Sequence, residues 1–145
     1  MATLVITGIG DITAAIAKFQ SNIKKSWCAC VDSSIPAFSM SDAIKQGYIA
    51  AKKRGVQIRY ITEITDGNVD HCKELQKFAE LRHLGRVSGS FAVSESEFVA
   101  GLRGKKTLER LVYSDEKELV KSQQDIFETL WENAIPAQDR IKQLP

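Results

Sequence analysis

The sequence predicts a single α/β domain with a central mixed β-sheet flanked by helices, and three observations carry that reading. Between residues 12 and 78 the apolar positions switch repeatedly between helical spacing and strand-like alternation. Two short apolar runs, 87–93 and 97–102, are separated by a Ser/Glu turn and pattern as hairpin partners. A long amphipathic stretch over 114–133 then follows one more strand. At 145 residues and 43% hydrophobic content, the chain is large enough for one core that buries about 70% of the unfolded surface.

In chain order, Ile12, Ala15, Ile16, Phe19 and Ile23 recur at helical spacing, with Lys24 and Lys25 expected in the last turn, where cations suit the helix dipole. Residues 27–31 (WCACV) read as a short buried strand, and a loop is expected from Pro36. Ser41 is the expected N-cap of a helix carrying Ile44, Tyr48 and Ala51, which Gly55 should end in a sharp reversal. Val56, Ile58 and Tyr60 alternate as one face of a second strand. Asp66-Gly67-Asn68 turns the chain into a third helix with Val69, Cys72, Leu75 and Phe78 on its inner side. After the hairpin and a polar turn over 103–106, residues 108–113 form one more strand. Ser114-Asp115 should cap the final helix, whose apolar set is Leu119, Ile126, Phe127, Leu130 and Trp131, and Pro136 ends it. The domain is therefore expected over 1–136. Residues 137–145 are polar, lack an expected closing element, and read as the start of a linker to a further region.

Composition narrows the function classes. Twenty basic against 18 acidic residues give a net charge of +2, so no charge excess points to nucleic acid, and no nucleic-acid partner is expected. The pairs Lys105-Lys106 and the run Lys52-Lys53-Arg54 read as solvated faces. Three cysteines make no disulfide framework, and the opening residues lack the pattern of a signal peptide, so a reducing, cytoplasmic setting is expected. No apolar run approaches the roughly 20 residues that span a bilayer, so no membrane contact is expected. Cys28, Cys30, Cys72, His71 and His83 match no zinc spacing. Buried apolar thiols explain the cysteines, and neither metal nor other cofactor is expected.

The most informative stretches are 59–65 (RYITEIT) and 80–91 (ELRHLGRVSGSF). Together with 31–33 (VDS), 52–58 (KKRGVQI), 72–75 (CKEL), 112–114 (VYS) and 127–137 (FETLWENAIPA), they resemble the sensory input domain of archaeal histidine kinases. The resemblance covers nearly the whole chain. A looser one runs to the effector domain of TrmB-type archaeal transcriptional regulators. Both resemblances imply a phospholipase-D-like fold and a signalling role with an unknown small-molecule or protein signal, and the first also implies a downstream PAS or kinase region. The chain itself carries no phosphoacceptor-helix motif and no glycine-rich ATP lid, so it is not expected to phosphorylate anything.

Active phospholipase-D enzymes carry a histidine, a lysine two residues later and an aspartate five further on, and that pattern falls here on Ser88, Ser90 and Glu95. A serine without an adjacent base replaces neither the nucleophilic imidazole nor the charge-neutralising lysine, so no catalytic residue is expected. In the enzymes two such motifs meet across a pseudo-dyad, which keeps a homodimer among the expectations. Asp32, Ser33, Thr62 and Glu63 lie at the carboxyl ends of the first two strands, where open α/β sheets place their binding crevice. The candidate ligand-binding set is Asp32, Ser33, Arg59, Tyr60, Glu63, Arg82, His83, Ser88 and Ser90. The expected function is a non-catalytic sensory domain. The alternatives are a phosphodiester-processing or phosphate-binding enzyme and a dimerisation module.

Overall fold

The computed structural model describes residues 2–103 and 108–145. Eight strands form one mixed sheet in the order β1-β7-β6-β5-β2-β3-β4-β8. The strands are β1 Thr3–Thr7, β2 Ser26–Val31, β3 Gln57–Thr62, β4 Glu80–His83, β5 Ser90–Ser94, β6 Phe98–Arg103, β7 Leu108–Ser114 and β8 Ile135–Pro136. The helices are α1 Ile9–Asn22, α2 Ile35–Ser39, α3 Asp42–Lys53, α4 Val69–Leu75, α5 Lys117–Asn133 and α6 Ala137–Gln143. β2, β3 and β4 run parallel, and the remaining pairings are antiparallel.

Strand alternation sends successive side chains to opposite sheet faces, and two core clusters result. Trp27, Ala29, Val31, Ile58 and Tyr60 point to the side covered by α1, α3 and their neighbours, in one cluster with Ile12, Phe19, Ile44 and Tyr48. Cys28, Cys30, Ile61 and Val93 point to the other side, against Val120, Phe127 and Trp131 of α5. Cys28 and Cys30 thus share one face of β2. Ile126, expected on the inner face of α5, is exposed instead, because the observed contact stripe runs through Val120, Phe127 and Trp131.

The helix ends show where local chemistry and prediction part. Gly55 adopts φ +85° after α3, and Val56 N–H donates to Ala51 O (3.1 Å) while Gly55 N–H donates to Lys52 O (3.0 Å). That paired pattern is a Schellman ending, which needs the left-handed residue glycine supplies. Ser41 has the extended N-cap backbone, but its hydroxyl donates back to Phe38 O (2.6 Å). α1 stops at Asn22, so Lys24 and Lys25 lie beyond its last turn. The loop expected at Pro36 is the short helix α2. Proline there occupies the first turn, where its missing N–H costs no helical bond. α4 ends at Leu75, before Phe78.

Besides α2 and the two-residue β8, three elements were not expected. β1 is short and mostly exposed, so alternation gives little signal. β4 carries Arg82 and His83 at half-buried positions, which breaks the apolar pattern. Beyond Pro136 the chain forms α6, where Ala137 is buried and Arg140 Nε donates to Ile64 O (3.0 Å), so the expectation of no closing element is corrected. The polar turn expected over 103–106 lies, from 104 on, outside the described residues.

Candidate ligand-binding site

Parallel strands bring their carboxyl ends to one edge of the sheet, and β5, antiparallel to β2, brings its first residue to the same edge. Asp32 sits at the centre. Its backbone N–H donates to Ser90 Oγ (3.1 Å), and Ser90 Oγ donates to Asp32 Oδ2 (3.1 Å). Asp32 Oδ1 accepts from Ser34 N–H (2.9 Å) and from Ser34 Oγ (2.5 Å), and Arg103 Nη1 lies 3.9 Å away. Thr62 Oγ1 donates to Asp32 O (3.2 Å), tying the end of β3 to that of β2.

Asn68 organises the next loop. Its Nδ2 donates to Ser33 O and Glu63 O (both 2.9 Å), and its Oδ1 accepts from Thr65 N–H (2.9 Å). His83 Nδ1 accepts from Ile64 N–H (2.9 Å). Burial, with the positive charge of Arg140, lowers the His83 pKa despite the opposing charge of Glu63. The imidazole is therefore held neutral with Nδ1 unprotonated.

Of the candidate residues, Asp32, Ser33, Glu63, His83, Ser88 and Ser90 gather at or beside this edge, with Ser88 exposed just before β5. Arg59, Tyr60 and Arg82 stand apart from it. Arg59 points to the α5 side, where its guanidinium pairs with both Glu128 oxygens (2.8 and 2.7 Å) and lies over the Phe127 and Trp131 rings. Tyr60 is fully buried, its hydroxyl bonded to Ser39 Oγ (2.9 Å). Arg82 Nη1 donates to Trp131 O (2.8 Å) near the end of α5. Asn68 and Arg103 were not among the expected residues. Asn68 read as a turn residue, and Arg103 opened a stretch without periodicity.

The three positions of the enzyme motif are occupied as follows. Ser88 is exposed, Ser90 is bonded to Asp32, and Glu95 serves as a backbone clamp. The Glu95 carboxylate accepts from Lys24 N–H (3.1 Å), Lys25 N–H (2.9 Å) and Ser26 N–H (3.1 Å). Burial raises its pKa, but the bonds from Lys25, Ser26 and Lys24 outweigh burial and hold it below the usual carboxylate range. Among the described residues, these three positions do not bring together a nucleophile, a base and an orienting group. Among the described residues no His, Cys, Asp and Glu cluster has metal-binding geometry. Burial raises all three thiols, Cys30 to about 11 and Cys72 to about 12, so they stay protonated and unreactive near neutral pH.

No protein-family model and no curated protein sequence matches the chain. Solved structures do. NucT from Helicobacter pylori superposes with a TM-score of 0.72 at 15% identity, over 93% of this chain and 98% of that one. TrmBL2, described as an archaeal chromatin protein with a novel mode of DNA binding, superposes with a TM-score of 0.70 at 19% identity, over 94% of this chain. The fold is phospholipase-D-like. The chain spans 54% of the TrmBL2 chain, about half its length. The expectation that excluded a nucleic-acid partner is corrected by this likeness to a DNA-binding protein, since a near-neutral net charge says nothing about how charge is distributed. No helix among the described residues is long and apolar enough to cross a membrane.

Proposed function

We propose that the chain is a non-catalytic, ligand-binding sensory domain on a phospholipase-D-like scaffold. One observation carries the reading: where the enzymes need histidine and lysine, this chain has Ser88 and Ser90, and Ser90 is tied to Asp32. A hydroxyl that both donates to and accepts from one residue supports the shape of the edge rather than attack on phosphorus. The ligand site is the carboxyl edge, formed by Asp32, Ser33, Glu63, His83, Ser88 and Ser90 with Asn68 and Arg103. It offers two carboxylates, one guanidinium, one imidazole, one amide and several hydroxyls, a set suited to a small polar molecule with donors and acceptors. The sequence resemblance to kinase input domains supports a place upstream of an output region, and Pro136 and α6 would lie toward that junction.

Native mass spectrometry of the purified chain tests the reading. A retained small molecule that is lost in Asp32→Ala, with no hydrolysis of bis-p-nitrophenyl phosphate, is the expected result. Hydrolysis that disappears in Ser90→Ala would instead make the chain a phosphodiester-processing enzyme. The likeness to TrmBL2 brings DNA in as a second reading. Duplex binding that weakens steeply with salt and is reduced in Lys52→Ala/Lys53→Ala would place it on the exposed end of α3.

A further inference from the structure

The two edges of the sheet are built differently. At one, β8 is two residues long and contains Pro136, the kind of short, proline-bearing strand that blunts an edge. At the other stands β1, five residues with neither charge, proline nor bulge. Its apolar side chains are open to solvent: Leu4 is 52% exposed and Val5 64%, and Ile9 just beyond is 47% exposed. The other exposed large apolar residues, Leu102, Ile126 and Ile135, belong to three separate elements.

The ladder with β7 fixes which backbone groups of β1 face outward. Asp115 N–H donates to Ala2 O (3.1 Å), and along an antiparallel pair such bonded positions alternate with unbonded ones. Leu4 and Ile6 therefore bond inward, to Tyr113 and Leu111. Thr3 and Ser114 form an unbonded pair, where side chains come closest, and their hydroxyls are 2.9 Å apart. The N–H and C=O groups of Thr3, Val5 and Thr7 thus point away from the sheet, and no described strand takes them up.

We infer that β1 is a self-association edge whose occupant is β1 of a second copy, running antiparallel with Val5 on the two-fold axis. The order of residues in the strand selects this partner. Thr-Leu-Val-Ile-Thr has the same pattern in both directions, so an axis through Val5 sets Thr3 against Thr7 of the second copy, Leu4 against Ile6, and Val5 against itself. In this register every outward group finds a partner, because Thr3, Val5 and Thr7 meet only one another. Sliding by two residues leaves an outward residue unpaired and sets threonine against valine. Thr–Thr and aliphatic pairs are favourable cross-strand contacts, and a contact of this two-fold kind closes as a dimer and does not propagate. Five residues a side fall short of the roughly 20–30 of a standard interface, so the dimer is weak, with a dissociation constant on the order of 10⁻⁴ M. β7 and β6 separate this edge from β5, where Ser90 lies, so pairing through β1 leaves the ligand site of each copy open.

The test is sedimentation equilibrium over concentrations that bracket that constant. The wild-type mass is expected to rise from that of one chain toward that of two. Val5→Lys and Val5→Glu, made at an exposed side chain, are each expected to stay monomeric, because like charges then meet on the axis. Mixed together they are expected to associate, since lysine then faces glutamate. Amide NMR gives the location: the Thr3, Val5 and Thr7 signals are expected to move with concentration while those of Asp32 and Ser90 stay fixed. Should a charged variant not fold, Thr7→Pro takes its place. It removes an outward N–H, spares the ladder to β7, and is expected to weaken association about tenfold. A wild-type mass that stays at one chain, association that survives these substitutions, a Lys/Glu mixture that stays monomeric, or shifts centred on α5 or the carboxyl edge would each overturn the inference. The fate of the Asp32-dependent ligand bears on the other site alone.

Discussion

Glu95 shows how a residue whose type fits an old catalytic pattern can be redirected to structure. Its carboxylate gathers three backbone N–H groups from the turn before β2, bonds that the neutral amide of Glu95→Gln can replace only in part. The variant is expected to lose about 1–2 kcal/mol in urea unfolding at pH 7. Because the folded pKa lies below the unfolded one, that contribution is present above about pH 4.5 and fades as pH falls through the folded value, so wild type and variant should converge in acid. His83 acts in a higher window. Its folded pKa is also lowered, so the unfolded chain takes up its proton first, and stability should fall as pH drops below about 6.5. His83→Asn retains an acceptor but does not titrate, and its stability should be flatter between pH 7 and pH 5. His83 was one of the candidate residues named from the sequence, and the structure sets it at the carboxyl end of β4. The sequence could not show that Nδ1 accepts from Ile64, because that bond joins residues whose contact depends on β3 and β4 being neighbours.

Elements were legible where apolar residues recur or run together: α3 at helical spacing, β3 by alternation, and β2 and the β5–β6 hairpin as short apolar runs. β1 and β4 were not, since one is exposed over most of its length and the other carries charged residues that bond sideways. Arg59, Tyr60 and Arg82 were counted among the candidate ligand-binding residues, but strand alternation and the packing of α5 divide them among three surroundings. α5 depends on Trp131, which stacks on Phe127 (5.8 Å) and lies under Arg82 (4.2 Å). Trp131→Ala is expected to cost about 3–5 kcal/mol in chemical unfolding. An unchanged midpoint would show that α5 is not anchored there. The α1–α3 contact makes a sharper prediction. Gly47 faces Gln20, which is 1% exposed and donates to Ile44 O (3.0 Å), and an added Cβ would lie 2.0 Å from Gln20 Oε1. Alanine in a helix ordinarily stabilises by about 0.5–1 kcal/mol over glycine. Here overpacking outweighs that gain, and Gly47→Ala should lower stability by about 1–3 kcal/mol.

At the scale of the molecule, the α/β class and the phospholipase-D-like scaffold could be read from the sequence, whereas the cluster of small residues on the sheet face beneath α1 and α3 could not. Ala29, Ala92 and Gly101 are far apart along the chain and become one floor only through the register of β2, β5 and β6. The place of α6 was hidden for a different reason: its apolar stripe is only Ala137, Ile141 and Leu144, short among polar residues, and those three pack on the core beside the bond from Arg140 to Ile64 O. Arg140→Ala is expected to cost about 1.5–3 kcal/mol and to raise amide exchange at 137–143. The pairing of β1 has a different kind of consequence. Among the described residues its one strand partner is β7, with Thr3 opposite Ser114 and Ala2 bonded to Asp115. A strand made first therefore has to wait for one made more than a hundred residues later, and during synthesis Leu4, Val5 and Ile6 travel without a partner. The loop-closure entropy of that pairing must be overcome last. In pulse-labelled refolding the amides of β1 should gain protection after those of β2 and β3, and any cellular factor that shields nascent strands would meet this chain at its amino-terminal end.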